Sequence, residues 1–307
     1  MISSIFGRTN PVNFLIVSLF LSFFLIGGYF LYLDVAFSTQ TLWLLGESLA
    51  LVLMILFLVD FINKKNNLTK GNSYTVLFFV LLFCLFPKIF NEIDLLISNV
   101  FILMAFRRII SLRSNRDVEI KIFDASLWVF VASFFYSWAL FFIVLVFFAL
   151  FLYKKNDYRN VLIPFVTLFV VLILAFTFYF LTNKINGFYD LLDFSPRFVI
   201  EKYEDIRYIV PLIFMCTMGG WAAIVFFLKK QSKAFKTRVP GILVMLLLGV
   251  SILVAILSES ANTSELVYAL FPLAVIIARY VESIRRLWLR EVFISTFIIM
   301  PFIVLFL

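Results

Sequence analysis

Whatever chemistry this chain performs falls to carboxylates, amines, guanidinia, hydroxyls and phenols, because its 307 residues include no histidine. That excludes imidazole bases, Ser–His and Cys–His nucleophile pairs, axial haem histidines and zinc–histidine sites. The two cysteines, Cys84 and Cys216, each sit inside an apolar run without metal-ligand spacing and read as small packing residues. No glycine-rich phosphate loop, lipase elbow or paired-cysteine motif occurs. No metal and no cofactor is expected.

Two acids are candidate bases. Glu47 follows Trp43 and Gly46 about two turns inside an apolar run, where an ionisable side chain is costly and marks a functional position by default. Asp34 lies in the short loop Tyr32-Leu33-Asp34-Val35 that precedes the same run. Asp60 reads as interfacial, and Asp124 as a charge at the N-terminal end of a helix. A third candidate region, residues 183–207, reads NKINGFYDLLDFSPRFVIEKYEDIR. Its Arg197, Lys202 and Arg207 offer cations to an anionic head group, and arginine matches phosphate bidentately. A short interfacial helix over 196–205 is expected there, with Ser195 as N-cap and Pro196 in the first helical position.

The elements that must position these residues are membrane helices. The chain is 64% hydrophobic and 14% charged, against about 45–50% and 25% in soluble domains. A spanning helix needs about 20 apolar residues. Residues 11–32, 41–61, 161–182, 208–228, 240–257, 266–284 and 291–307 meet that length or approach it. Residues 74–89 and 95–106 are shorter runs. Residues 122–153 are too long for one span and divide at Tyr136-Ser137-Trp138, where a Tyr and a Trp suit a membrane interface. The expected fold is all-α: one polytopic domain over 1–307 with about ten or eleven membrane segments, the short ones buried by neighbours or re-entrant.

Alternating the loops across the bilayer gives an independent check. All but five of the 26 lysines and arginines then fall on one side; the exceptions are Lys88, Lys184, Arg197, Lys202 and Arg207. By the positive-inside rule the N-terminus is cytoplasmic and the C-terminus periplasmic. The net charge of +8 is thus explained by cytoplasmic loops, and no nucleic-acid partner is expected. The first residues do not read as a cleavable signal, since Pro11 follows polar Arg8-Thr9-Asn10 and no small-residue cleavage site ends the apolar run.

The stretch 98–136 reads SNVFILMAFRRIISLRSNRDVEIKIFDASLWVFVASFFY: an apolar helix ends in Arg107-Arg108, and a basic loop leads into short paired helices. This resembles the central part of GT-C-type glycosyltransferases and related polysaccharide polymerases. The resemblance implies a catalytic acid in the first outer loop, where Asp34 stands, and a polyprenyl-phosphate sugar donor held by later outer loops. The whole chain also looks like an uncharacterised multi-pass inner-membrane family of Bacteroidota, which implies a bacterial inner membrane. Three functions follow as expectations: handling of lipid-linked saccharide at the periplasmic face, a non-catalytic membrane subunit of an envelope complex, or a transporter. The partners these imply are membrane lipid, a polyprenyl phosphate and a membrane protein.

Overall fold

The computed structural model describes residues 2–33, 35–183, 206–229, 235–258 and 263–307. Among these no strand occurs, and the chain is helical nearly throughout. In order, α1 is Ile2–Phe6, α2 Pro11–Gly27, continued by a π-helix Gly28–Tyr32, and α3 Thr39–Asn66. Next come α4 Tyr74–Phe83, a 3-10 helix Pro87–Asn91, α5 Ile93–Ser111 and α6 Val118–Phe135. A 3-10 helix Ser137–Phe142 leads into α7 Ile143–Leu152, followed by α8 Tyr158–Leu181 and α9 Ile206–Lys229. The chain closes with α10 Phe235–Leu257, a 3-10 helix Ser264–Leu266, α11 Val267–Ser283 and α12 Leu287–Leu305.

Local sequence explains several boundaries. Asn10 caps α2, its side-chain oxygen accepting from the Val12 N–H at 3.1 Å, and Pro11 takes the first position where no N–H is needed. Ser38 caps α3 by accepting from the Thr41 N–H at 3.1 Å. Asn67 closes α3 in the left-handed conformation, φ 51°, which asparagine tolerates better than most residues.

Among the described residues, seven helical stretches are long and apolar enough to cross a membrane. Their surfaces agree with that reading: Leu19, Trp43, Phe169, Leu174 and Phe306 are each more than 60% exposed, a pattern suited to hydrocarbon and not to water. Between residues 122 and 153, α6 stops at Phe135, Tyr136 is extended, and a 3-10 turn starts the next segment, so the expected division is present.

Three expectations need correction. The run 95–106 is no short segment: α5 extends over 19 residues, because its charged ends, Asp94 and Arg107-Arg108, are themselves helical. The run 74–89 is helical only to Phe83; Pro87 cannot supply the N–H that an α-helix interior requires, and a 3-10 turn follows. Asp124 does not open its helix. α6 begins at Val118, and Asp124 lies more than a turn inside it, paired with Arg108 at 2.8 Å.

Contacts divide the chain into two compact units. Unit 1 takes Met1–Leu96, Val199–Ala234 and Ser260–Leu307. Its centre is α11, buried without a break from Val267 to Ala278 and packed on α4 and α9. Every residue of α4 is buried too, which is how a ten-residue helix is accommodated: neighbours cover it instead of lipid. Unit 2 takes Ile97–Phe198 and Phe235–Glu259. In it α6 packs on α8, and α10 packs on α7 and on the Ser137–Phe142 turn. The Tyr136 hydroxyl donates to Ser258 Oγ, and the Ser98 hydroxyl donates to the Ala132 carbonyl at 3.0 Å.

The loops of each unit sort by charge. In unit 1, α1, the loop 67–73 and the region 279–291 meet at one end. The Glu282 carboxylate accepts from the Lys70 N–H at 2.7 Å and Asn72 Nδ2 at 2.6 Å, and Arg279 Nε donates to the Leu68 carbonyl. The π-helix, the Pro87–Asn91 turn, the start of α9 and the C-terminus meet at the other. In unit 2 the loops after α5 and α7 meet, with the Tyr153 hydroxyl donating to the Ile110 carbonyl at 3.3 Å. This grouping is what strictly alternating crossings produce.

Candidate functional site

The end of unit 1 that carries few basic residues is built from irregular backbone. The π-helix Gly28–Tyr32 packs on the 3-10 helix Pro87–Asn91, which also packs on the 3-10 helix Ser264–Leu266. In a membrane protein, non-α backbone persists only where protein covers it or where it lines a cavity, and π-turns recur at functional positions. The π-helix turns Tyr29 inward, where its hydroxyl donates to the Phe90 carbonyl at 3.0 Å and lies 2.8 Å from Ser48 Oγ. Gly28 permits this approach: a Cβ there would stand 3.1 Å from Phe90 Cδ2 and 3.3 Å from Pro87 Cβ.

Around this junction the structure gathers two cations from distant parts of the chain. Lys88 Nζ lies 4.4 Å from the centre of the Tyr208 ring, and Arg207 Cζ lies 5.6 Å from that of Tyr32. Arg207 Nε also donates to the Leu307 carbonyl at 3.1 Å. A cation held over an aromatic face keeps its charge, and such a charge attracts an anion. Beneath lie Thr263, Ser264 and Glu265, all at most 2% exposed. Glu265 is a buried acid in the first turn of its helix, where the positive end of the helix dipole favours it.

The sequence-derived residues are distributed as follows. Arg207 belongs to the cluster. Glu47 lies on an exposed face of α3, with no hydrogen bond among the described residues, near enough to Tyr29 for its charge to act there. Asp34, Arg197, Lys202 and the expected helix over 196–205 lie outside the described residues. Lys88 and Glu265 were not singled out by sequence. Lys88 carried a signal, being one of only five basic residues assigned to the sparsely charged side; Glu265 was one acid among many there, and only burial distinguishes it.

Elsewhere, an open cleft of about 500 Å³ lies between the loops of unit 2, lined by Asp117, Glu119, Lys155, Asp157, Arg159 and Asn160. It mixes both signs and so favours neither. Among the described residues no group of acids and cysteines could hold a metal ion.

A membrane-crossing all-α bundle, with an aromatic-backed cation pair at one end of its first unit, is a multi-pass integral membrane protein. The chain belongs to the Family of unknown function (DUF6427), whose profile matches residues 11–307. No curated protein and no solved structure matches it.

Gly28→Ala tests whether the glycine contact sets the cluster. The methyl group must press on the Phe90 ring and Pro87, in the turn that carries Lys88, without touching either cation. The thermal midpoint in detergent is expected to fall by several degrees, an overpacking cost of about 1–3 kcal/mol. An unchanged midpoint would show that the junction yields freely.

Proposed function

We propose that this protein binds a polyprenyl-phosphate-linked saccharide at the periplasmic face of a bacterial inner membrane, through Lys88 and Arg207 together with Arg197 and Lys202 of the adjoining segment. The observation that carries this reading is the closed run of contacts from Tyr32 to Arg207, along the chain to Tyr208, and on to Lys88. Two cations at one end of a lipid-facing bundle suit a phosphate whose tail remains in hydrocarbon. The geometry supports binding. Glu47, on its exposed face, adds no support for a catalytic base.

Binding of a long-chain polyprenyl monophosphate, measured by native mass spectrometry, tests the proposal. The double variant Lys88→Gln/Arg207→Gln is expected to bind about thirtyfold or more weakly, the loss of two charge-assisted contacts. Both side chains reach the surface, so the variant should remain monodisperse. Equal binding by variant and wild type would remove the proposal. Co-purification of a stoichiometric protein in place of lipid would favour the subunit function.

Orientation has its own test. Reporter fusions after Asn67, Asn115, Asp157 and Lys233 are expected to report cytoplasm, and fusions after Phe37, Asn186 and Asn262 periplasm. If the Asn115 and Asn186 fusions report the same side, the alternation is wrong.

A further inference from the structure

At the basic end of unit 1 the charges do not balance locally. Arg279, Arg285, Arg286 and Arg290 form no ion pair among the described residues, where the salt bridges are Lys64–Asp60 and Arg108–Asp124. The two acids of the region are already engaged with other groups. Glu282 accepts from the Lys70 N–H and Asn72 Nδ2, and Glu291 accepts from the Ile2 and Ser3 N–H groups and the Ser3 hydroxyl.

Arg290 adds a second, independent feature. One terminal nitrogen donates to the Ile284 carbonyl at 2.6 Å and the guanidinium lies against the Tyr74 hydroxyl, so neutral groups anchor Arg290 and, among the described residues, no carboxylate neutralises it. Arg286 is one turn earlier on the same face, at the N-cap of α12, and its side chain makes no capping bond. No acid occupies the first turn of α12, so the N–H groups there also face no side-chain anion. Immediately beside these cations Leu287 and Trp288 are 55% and 59% exposed, as interfacial anchors would be.

We propose that Arg286 and Arg290 form a binding site for the phosphodiester of an anionic phospholipid in the adjacent leaflet. The phosphate accepts from the outward-facing N–H groups of the Arg286 and Arg290 guanidinia, and the acyl chains run beside Leu287 and Trp288. The uncompensated charge calls for an anion, and the flanking apolar side chains call for one that carries hydrocarbon. This site is separate from the Lys88–Arg207 cluster and stands or falls without it.

Nanodiscs containing equal amounts of phosphatidylglycerol and phosphatidylcholine provide the test, with lipids retained after detergent extraction counted by native mass spectrometry. Wild type is expected to retain phosphatidylglycerol selectively. Arg286→Gln/Arg290→Gln should lower that retention about tenfold or more, and Arg290→Lys should lower it too, since lysine offers charge without the planar fork of donors. Arg286 is exposed, so Arg286→Gln alone keeps the test decisive if a change at Arg290 disturbs folding. Arg113→Gln, in the basic loop of unit 2, should leave retention unchanged. Equal retention of both lipids, or phosphatidylglycerol retention unaffected by Arg286→Gln, overturns the site. Inorganic phosphate that binds with the same arginine dependence while the two lipids are retained equally would mark a soluble anion and overturn the lipid assignment.

Discussion

Asp124→Leu is expected to destabilise the protein by about 2–3 kcal/mol, whereas Arg108→Leu/Asp124→Leu should lie within about 1 kcal/mol of wild type. The 2.8 Å pair joins α5 to α6 within unit 2, with side-chain exposures of 39% for Arg108 and 22% for Asp124. Removing one member leaves a guanidinium against apolar helix surface; removing both leaves leucines that lipid or protein accepts. The single-variant cost falls below the range for fully buried pairs because Arg108 can extend toward the interface. Titration with a denaturing detergent, following tryptophan fluorescence, measures both variants. A double variant as unstable as the single would show that Asp124 acts by packing and not by charge.

Glu291→Ala is expected to release the first helix. One carboxylate accepts from the Ile2 N–H at 3.1 Å, the Ser3 N–H at 3.0 Å and the Ser3 hydroxyl at 2.5 Å. Three further bonds hold the same segment: the Tyr74 hydroxyl to the Ser3 carbonyl at 2.7 Å, the Ser73 N–H to the Phe6 carbonyl at 3.0 Å, and Asn13 Nδ2 to the Ile5 carbonyl at 2.8 Å. A five-residue helix has no stability of its own, so these tertiary bonds hold it. Losing the carboxylate should raise amide exchange over residues 2–8 roughly thirtyfold, about 2 kcal/mol, leaving the rest of unit 1 protected. Glu291→Gln should fall between, since an amide oxygen accepts without the charge. Exchange that rises across all of unit 1 would mean that Glu291 supports the bundle and not the latch.

Much of the architecture was already legible in the sequence. Apolar run length is a strong signal because the bilayer core sets a minimum helix length. The charge distribution supported the division at Tyr136-Ser137-Trp138, and α6 does end at Phe135. The site was less legible. Arg207 could be picked out as a basic residue in an exposed-side loop, but the contact of Lys88 with Tyr208 joins positions 120 residues apart, and no local pattern encodes it. The partner of Asp124 was equally hidden, because the apolar run 95–106 stops short of Arg108, which α5 carries as a helical residue.

What only the tertiary structure decided is which helices form the interior. Of the seven long apolar stretches, Ser264–Ser283 is the least apolar and by far the most buried, 83% against 22% for Tyr158–Leu181, which is among the most apolar. In water that order would be reversed, since hydrophobicity drives burial there. In a bilayer, lipid accepts apolar side chains as readily as the protein interior does. The outward faces must therefore be apolar, while the interior tolerates Thr263, Ser264, Glu265 and Tyr268 once neighbours cover them. Hydropathy thus determined that these helices lie in the membrane, and packing alone determined that α11 is at the centre of unit 1.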